Sequence, residues 1–137
     1  MSGAGRTLKA ARPDLKIAVT EPAGAALLAG DEWQPHKIQG WTPDFVPDVL
    51  DAAMADELHK VTDDRAIEVA RELAAKEGIF TGISGGGTLA TALAVAESAE
   101  PGSVILSMLP DTGERYLSTP LFEGVNEGSD DDWLDSL

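Results

Sequence analysis

The stretch "FTGISGGGTLATALAVA", residues Phe80–Ala96, contains the residues with the clearest potential for chemistry. A short apolar run leads into a turn with Ser84 at its apex, and Gly85, Gly86 and Gly87 follow before a helix of small residues. Glycines at such a turn allow a ligand to approach the backbone. The N-terminus of the following helix offers unpaired N–H groups to an anion or a hydrogen-bond acceptor, and the Ser84 hydroxyl adds a further donor.

Three interpretations of this turn remain open on the residues alone. It can bind a phosphate group, it can hydrogen-bond a heteroatom of a cofactor, or it can be a bare helix cap. The string "GISGGGT" lacks the lysine of a P-loop and the glycine spacing of a dinucleotide fingerprint, so neither motif is matched. On spacing alone the helix cap is the simplest interpretation.

The other polar residues form no pattern that is typical of catalysis. His36 and His59 fall in a loop and a predicted strand, and without cysteines or a His-x-x-x-His spacing they give little support to a metal site. No serine–histidine–acid spacing and no pair of carboxylates stands out. We therefore assign no catalytic residue and no metal ligand from the sequence.

Composition and charge exclude several classes of protein. A formal net charge of −14 argues against nucleic acid or an anionic membrane as a partner, because both require a basic surface. The sequence contains no run of about 18 apolar residues, so it predicts no membrane span. The first residues lack the apolar region of a secretory signal, and the absence of cysteine excludes disulfides and thiol catalysis. We expect a cytoplasmic protein.

Strand and helix signals alternate along the chain and predict an α/β fold with parallel βαβ units. After a long connection from Ala23 to Pro47, the clearest signal is a helix that Thr62 or Asp63 caps and Gly78 ends. Only about three strands can be counted, whereas open doubly wound sheets have about five or six, so we expect part of a domain. The predicted elements are helix Gly3–Ala11, strand Lys16–Pro22, strand Asp56–Thr62, helix Asp63–Glu77, helix Thr88–Glu97 and strand Ser103–Leu109.

Two segments follow the predicted third strand. Leu109–Phe122, "LPDTGERYLSTPLF", is polar and then apolar, and it lies at the carboxyl end of that strand, where parallel α/β sheets bind ligands. The last fifteen positions, residues 123–137, hold six of the 24 acidic residues. Such a run is typical of a solvated, flexible terminus.

Four segments together resemble the C-terminal half of cysteine synthase (O-acetylserine sulfhydrylase), a fold-type II pyridoxal-phosphate enzyme, with the cystathionine β-synthase core as a more distant match. The resemblance runs in one register from Ser2 to Phe122 and implies a parallel-sheet layered domain of the tryptophan synthase β-like architecture, incomplete in this chain. On this basis residues 1–122 form the enzyme-like portion and residues 123–137 an acidic tail. The four segments are "SGAGRTLKAARPDLKIAVTEP", "PHKIQG", "EGIFTGISGGG" and "LPDTGERYLSTPLF".

The resemblance implies pyridoxal 5'-phosphate as cofactor and gives roles to three residues. Ser84 matches the serine that donates a hydrogen bond to the pyridine nitrogen. Because a hydroxyl is neutral, it leaves that nitrogen unprotonated, which suits β-elimination and β-replacement better than transamination. Gly85 lets the cofactor ring lie close to the backbone, and Gly40 lines the substrate side.

Other parts of the family pattern are absent from this chain. The lysine that forms the Schiff base lies in an S-x-K-D-R-like motif, and none of the five lysines here has that context. The T-S-G-N-T-like and G-T-G-G-T-like loops are also missing. Within the matched part, "GWTPDF" replaces a G-x-G-x-G-F-like string, and Gly85 stands where a second serine is common.

The expected function is therefore that of the C-terminal portion of a cysteine synthase-like enzyme, which is inactive by itself. In the complete enzyme, sulfide replaces the acetate of O-acetyl-L-serine and gives L-cysteine. The partners implied are the amino-acid substrate, the missing N-terminal half and a homodimer partner. Two alternatives stay open: a non-enzymatic binding or regulatory module that pairs with a full-length family member, and a gene remnant without a folded product.

Overall fold

The computed structural model describes residues 1–125 and 130–135 of the 137-residue chain. Up to residue 98 the helices and strands follow the order that the sequence predicts, and the α/β class is confirmed. The elements are α1 (Ser2–Ala11), β1 (Ala18–Pro22), β2 (Glu57–Val61), α2 (Asp63–Glu77), α3 (Ile83–Ser98) and α4 (Asp130–Leu134), with short 3-10 helices at Ala52–Met54 and Gly113–Tyr116.

The two strands form a parallel pair. The register runs from Ala18 opposite Glu57 to Pro22 opposite Val61. Hydrogen bonding continues past both ends, since the Asp56 amide donates to the Ile17 carbonyl at 2.9 Å and the Ala23 amide donates to the Val61 carbonyl at 2.7 Å. The carboxyl ends of both strands therefore meet at one edge of the sheet, as expected for a βαβ-type fold.

Helix α2 has both ends where its capping signals predict them. The Thr62 hydroxyl accepts a hydrogen bond from the Arg65 amide at 3.2 Å, and Asp63 and Asp64 occupy the first turn. At the other end Gly78 adopts φ +69°, and its amide donates to the Ala74 carbonyl at 3.1 Å. A left-handed glycine is a common end of a helix because it has no Cβ to strain.

Helix α3 begins earlier than predicted. The sequence places its start at Thr88, but the helix begins at Ile83 with Gly82 as its N-cap, so Ser84 and the three glycines form its first turn. Glycine is a poor helix former by about 1 kcal/mol relative to alanine. The glycines are helical here because this turn is buried against α2, a tertiary contact that local propensity does not include.

The hydrophobic core lies between α2, α3 and the carboxyl end of β2. It draws residues from three of the four segments that resemble the family, together with α2 and β2, so these distant segments pack as one unit. Its buried members are Ile38, Val61, Ala66, Ala70, Ile83, Tyr116 and Leu121, and Trp41, Ile67, Ala90 and Phe122 pack against them.

The predicted third strand, Ser103–Leu109, is wrong in this structure. The segment lacks strand hydrogen bonds, and Val104 and Leu106 are 96% and 91% exposed. Its β-branched and apolar residues favour an extended backbone, but a strand also needs a neighbour to pair with, and residues 1–125 and 130–135 supply none. The sheet of the described chain thus has two strands, not three.

The acidic tail is described in part. Helix α4 covers Asp130–Leu134, while residues 126–129 and 136–137 lie outside the described residues. The flexibility of the tail stays a prediction. Among the described helices, none is long and apolar enough to cross a membrane.

Candidate functional site

The first turn of α3 is open to an acceptor at its N-terminal end. Its first intrahelical hydrogen bond runs from the Gly86 amide to the Gly82 carbonyl at 3.2 Å. The amides of Ile83, Ser84 and Gly85 therefore precede the helical ladder, and Gly82 has no side chain to cap them. The partial positive charge of a helix N-terminus favours an anion or a lone pair at this point.

Ser84 is buried at this helix end and keeps its hydrogen-bonding capacity. The residue is 6% exposed. Within residues 1–125 and 130–135 its hydroxyl takes part in no hydrogen bond. The Ser84 hydroxyl oxygen is not among the fully buried side-chain atoms that lack a partner, so it stays accessible to a ligand that brings an acceptor. This hydroxyl fits the family's hydrogen bond to a ring nitrogen.

The three glycines after Ser84 pack against the protein itself. A Cβ at Gly85 would collide with the Thr81 side chain, and one at Gly86 would collide with the Ala66 carbonyl of α2. A Cβ at Gly87 would lie 2.9 Å from the indole ring of Trp41. The glycines thus allow close packing on this side, and Gly85 can offer a ligand its backbone alone. Its role toward the cofactor stays a prediction.

Gly40 is connected to the α3 turn through its neighbour Trp41. Gly40 has φ +82°, a conformation that favours glycine, and an added Cβ would meet no atom within 4 Å. The Trp41 amide donates to the Ile38 carbonyl at 3.3 Å, and the Trp41 ring covers Gly87. The loop with Gly40 therefore reaches the same turn as Ser84, and the role of Gly40 on the substrate side stays a prediction.

Asp111 and Tyr116 were missed as site residues by the sequence reasoning. The Tyr116 hydroxyl donates a short hydrogen bond to Asp111 Oδ2, and the Thr81 hydroxyl donates to the Asp111 carbonyl at 3.1 Å. A Cβ at Gly82 would lie 2.5 Å from Asp111 Oδ1 and would collide with the Tyr116 ring. The pair thus lies directly against the N-cap of α3. The spacing of the aspartate and the tyrosine in "DTGERY" was the only feature of the sequence that could have indicated this pair.

The carboxylate of Asp111 gives this corner of the site its electrostatics. Asp111 Oδ1 is buried and has no hydrogen-bond partner among the described residues. The hydrogen bond to Asp111, together with burial, raises the pKa of the Tyr116 phenol above its ordinary value. A negative charge beside a helix N-terminus is favourable, so Asp111 stabilises the start of α3.

The segment Leu109–Phe122 closes over the start of α3. Thr112 forms an antiparallel bridge with Thr81, and the Gly113 amide donates to the Phe80 carbonyl at 3.1 Å. A Cβ at Gly113 would lie 2.9 Å from the Phe80 ring, which explains the glycine. The segment "LPDTGERYLSTPLF" therefore packs beside the Ser84 turn.

A second concave region lies at the carboxyl ends of β1 and β2. It is a cavity of about 340 Å³ whose lining includes His36, Lys37 and Asp63. The Lys37 amide donates to Asp63 Oδ2 at 2.8 Å, which fixes the loop "PHKIQG" to the start of α2. His36 Nε2 lies 3.2 Å from the Thr42 carbonyl, which can only accept, so Nε2 donates in this contact, and Nδ1 is buried without a partner among the described residues. In the described part of the chain no cluster of three or more potential metal ligands occurs.

Comparison with known proteins shows the class to which this fold and site belong. The family of pyridoxal-phosphate dependent enzymes matches residues 1–111, and the chain belongs to that family. The resemblance seen in the sequence is thus confirmed, and so is pyridoxal phosphate as the cofactor on which the family depends.

Individual relatives extend the match to the whole chain. Over 137 residues the chain is 56% identical to O-ureido-L-serine synthase of Streptomyces lavendulae, and over 122 residues it is 40% identical to cysteine synthase of Staphylococcus aureus. It spans 42% and 39% of the length of these two relatives.

Solved structures of relatives have the same fold. A crystal structure of O-ureido-L-serine synthase superposes with a TM-score of 0.91 over 98% of this chain and 42% of that chain, at 56% identity. The O-acetylserine sulfhydrylase isoform 3 of Entamoeba histolytica gives a TM-score of 0.86 over 98% of this chain and 40% of that one, at 37% identity. The architecture is that of fold-type II pyridoxal-phosphate enzymes.

Proposed function

We propose that this chain forms one wall of the pyridoxal-phosphate site in an enzyme that replaces the β-substituent of an activated L-serine. The observation that carries the proposal is Ser84, a buried residue at the N-terminus of α3 whose hydroxyl is accessible and has no hydrogen-bond partner among the described residues. It stands in the segment that resembles the cofactor-binding turn of cysteine synthase.

The side chains of this chain have distinct parts in that chemistry. When bound, pyridoxal phosphate supplies the electron sink for bonds broken at the amino acid. Ser84 donates a hydrogen bond to the ring nitrogen but keeps its proton, because a hydroxyl is a weak acid. This weaker polarisation favours replacement at the β-carbon over transamination. Thr81, Asp111 and Tyr116 hold the backbone that carries Ser84.

The lysine that bonds to the cofactor is not assigned to this chain. Each of the five lysines forms an ion pair with a carboxylate, and within the described residues none hydrogen-bonds to the Ser84 turn. We infer that a part of the family fold outside this sequence supplies this lysine, either joined to these residues or complementing them, and that these residues alone do not turn over substrate. The pairs are Lys9–Asp56, Lys16–Glu57, Lys37–Asp64, Lys60–Asp31 and Lys76–Glu72.

Two reactions of this class are candidates. The first is formation of L-cysteine and acetate from O-acetyl-L-serine and sulfide, in the cytoplasm. The second is formation of O-ureido-L-serine, which is favoured by the 56% identity over the whole chain, against 40% over 122 residues for cysteine synthase. Both products are L-amino acids that carry a substituent on the β-carbon. The two candidate reactions therefore differ in the nucleophile that supplies this substituent.

The test is reconstitution with the part of the S. lavendulae enzyme that lies outside the match. We expect the co-expressed pair to bind pyridoxal phosphate and to form L-cysteine from O-acetyl-L-serine and sulfide, while each part alone forms none. A stable pair that binds cofactor without turnover of O-acetyl-L-serine would contradict the proposal. That result would favour a regulatory module.

A further inference from the structure

Two aromatic side chains hold the backbone of Thr42 from the same side of the loop. The Trp33 indole donates from Nε1 to the Thr42 carbonyl at 3.0 Å, and His36 donates from Nε2 to the same carbonyl at 3.2 Å. The two rings meet edge to face, with centroids 6.4 Å apart and an interplanar angle of 67°. A carbonyl has two lone pairs, so it can accept both hydrogen bonds. Trp33, His36 and the Thr42 carbonyl are called here the carbonyl clamp.

The clamp acts on a strained residue. Among residues 1–125 and 130–135, Thr42 is the only non-glycine residue with a positive φ, +27°. A β-branched residue in this region is an outlier, and such strain persists only where surrounding contacts determine it. In the family pattern that "GWTPDF" replaces, this position is a glycine, which adopts positive φ freely. In this chain the two side-chain donors supply what a glycine would not need.

The loop beyond Thr42 has little other support. Within the described residues, the backbone of residues 42–46 forms no hydrogen bond with other backbone groups. Pro43 has no amide to donate, and the nearest backbone contact is the bond from the Trp41 amide to the Ile38 carbonyl at 3.3 Å. The position of the loop therefore depends on the clamp.

The clamped loop lies against the helix turn that carries Ser84. A Cβ at Gly87 would lie 2.9 Å from the Trp41 ring, so this ring packs directly on α3 at Gly87. Gly87 follows Ser84 by three residues, which places both on one face of the helix. Gly40, which the resemblance assigns to the substrate side, immediately precedes Trp41. Any change in the backbone at Thr42 is thus transmitted to the residues beside the site.

We propose that Trp33 and His36 are positioning residues for the amino-acid substrate. By holding the Thr42 carbonyl they set Gly40 and Trp41 beside the Ser84 turn before substrate binds, so that binding does not have to order the loop. This inference rests on the proposed function, because it assigns the loop to the substrate side of the same site.

The first test follows the Trp41 ring in the chain itself. Nitrogen-15 labelling gives an indole N–H signal for each of the three tryptophans, and Trp41→Phe identifies the Trp41 signal by its loss. Trp33→Phe removes one donor of the clamp and keeps an aromatic ring. We expect it to shift the Trp41 signal, while far-UV circular dichroism stays that of the parent chain.

His36 offers a matched pair of substitutions. The amide nitrogen of glutamine can take the place of Nε2, the atom that donates to Thr42, whereas the amide nitrogen of asparagine takes the place of Nδ1. His36→Asn should therefore shift the Trp41 signal, and His36→Gln should leave it at the position of the parent chain.

The second test measures kinetics after co-expression with the unmatched part of the S. lavendulae enzyme. Trp33→Phe and His36→Asn should each raise KM for O-acetyl-L-serine by about 5-fold, as expected for the loss of one hydrogen bond. Because the cost of ordering the loop falls on binding, kcat should stay within about 2-fold of the parent value. His36→Gln should restore KM, and the affinity for pyridoxal phosphate should not change in any variant. A general loss of folding would lower that affinity and kcat as well.

The outcomes separate the clamp from the proposed function. Equal effects of His36→Asn and His36→Gln would overturn the positioning role, as would an unchanged KM in Trp33→Phe or a loss that appears in kcat alone. If the parent pair formed no product while the Trp41 signal moved as expected, the proposed function would fail and the hold of the clamp on Trp41 would stand.

Discussion

At the residue scale, the chemistry of Ser84 depends on groups that lie far from it in sequence. The Thr81 hydroxyl donates a hydrogen bond to the backbone carbonyl of Asp111, and the Tyr116 hydroxyl donates one to the Asp111 carboxylate. The Asp111 and Tyr116 side chains both pack against Gly82, the N-cap of α3. These contacts fix the start of α3, and Ser84 is the second residue of that helix. Local positioning by buried polar contacts is what lets a single hydroxyl meet a ligand atom in a defined direction.

Replacement of Ser84 separates a structural cap from a ligand-binding hydroxyl. Ser84→Ala should change the free energy of unfolding of the chain by less than about 0.5 kcal/mol, since the hydroxyl has no partner among the described residues. A bare cap would lose about 1 kcal/mol. Urea unfolding followed by circular dichroism measures this difference. In the reconstituted pair the same change should shift the absorption spectrum of bound pyridoxal phosphate, and an unchanged spectrum would contradict the assigned hydrogen bond.

Tyr116 reports on Asp111 because it is the only tyrosine of the sequence. The pKa of Tyr116 is raised by its hydrogen bond to Asp111, so Asp111→Asn should lower it toward the ordinary value of about 10. A raised pKa in the folded state contributes stability that is present below pH ~10 and is lost as pH rises through the folded pKa. Ultraviolet titration of tyrosinate measures the shift.

The matched control for this titration is a substitution at the exposed neighbour Glu114. The Glu114 carboxylate accepts a hydrogen bond from the Thr112 side chain. Glu114→Gln should leave the pKa of Tyr116 unchanged. If Asp111→Asn and Glu114→Gln gave the same tyrosinate curve as the parent chain, the Asp111–Tyr116 pair would be absent in solution.

At the scale of elements, the packing of α3 on α2 accounts for most of the site geometry. Gly86 brings the backbones of the two helices together at Ala66, and Gly87 receives the Trp41 ring. The early start of α3 follows from this packing. Thus the glycine run, which the sequence assigns to a ligand, also has a structural role that requires glycine.

Gly86→Ala tests that role. An added Cβ would collide with the Ala66 carbonyl and lie 2.8 Å from the Ala70 Cβ, so we expect a loss of about 3 kcal/mol in the free energy of unfolding. Gly3→Ala in α1 is the control, because no atom lies within 4 Å of the added methyl, and it should gain about 0.5–1 kcal/mol. Urea denaturation measures the free energy of unfolding of both variants. Equal midpoints for the two variants would refute close packing at Gly86.

The elements that the sequence predicts correctly are those with local signals. Helix α2 has its cap at Thr62 and its glycine at Gly78, and both strands of the parallel pair fall within the predicted ranges. The start of α3 and the strand Ser103–Leu109 were predicted wrongly because they depend on contacts with other elements. Ser84 was identified because its segment resembles a family motif. The Asp111–Tyr116 pair was not identified, because its contact with the start of α3 forms only in the folded chain.

At the scale of the whole molecule, the described residues form a packed core around α2, α3 and the end of β2. Two strands and three longer helices hold the Ser84 turn, and residues Ser103–Leu109 lie outside the two-stranded sheet. The chain spans 42% of the length of O-ureido-L-serine synthase and superposes on it closely. Under the proposed function, these residues form one wall of a site whose covalent anchor lies in a part of the family fold outside this sequence.

Pyridoxal phosphate binding tests this central claim most directly. The purified chain is incubated with the cofactor, reduced with borohydride and analysed by mass spectrometry, alone and after reconstitution with the unmatched part of the S. lavendulae enzyme. We predict no defined adduct on the chain alone and a single adduct on a lysine of the added polypeptide in the pair. A stoichiometric adduct on one of the five lysines of this chain would contradict the account.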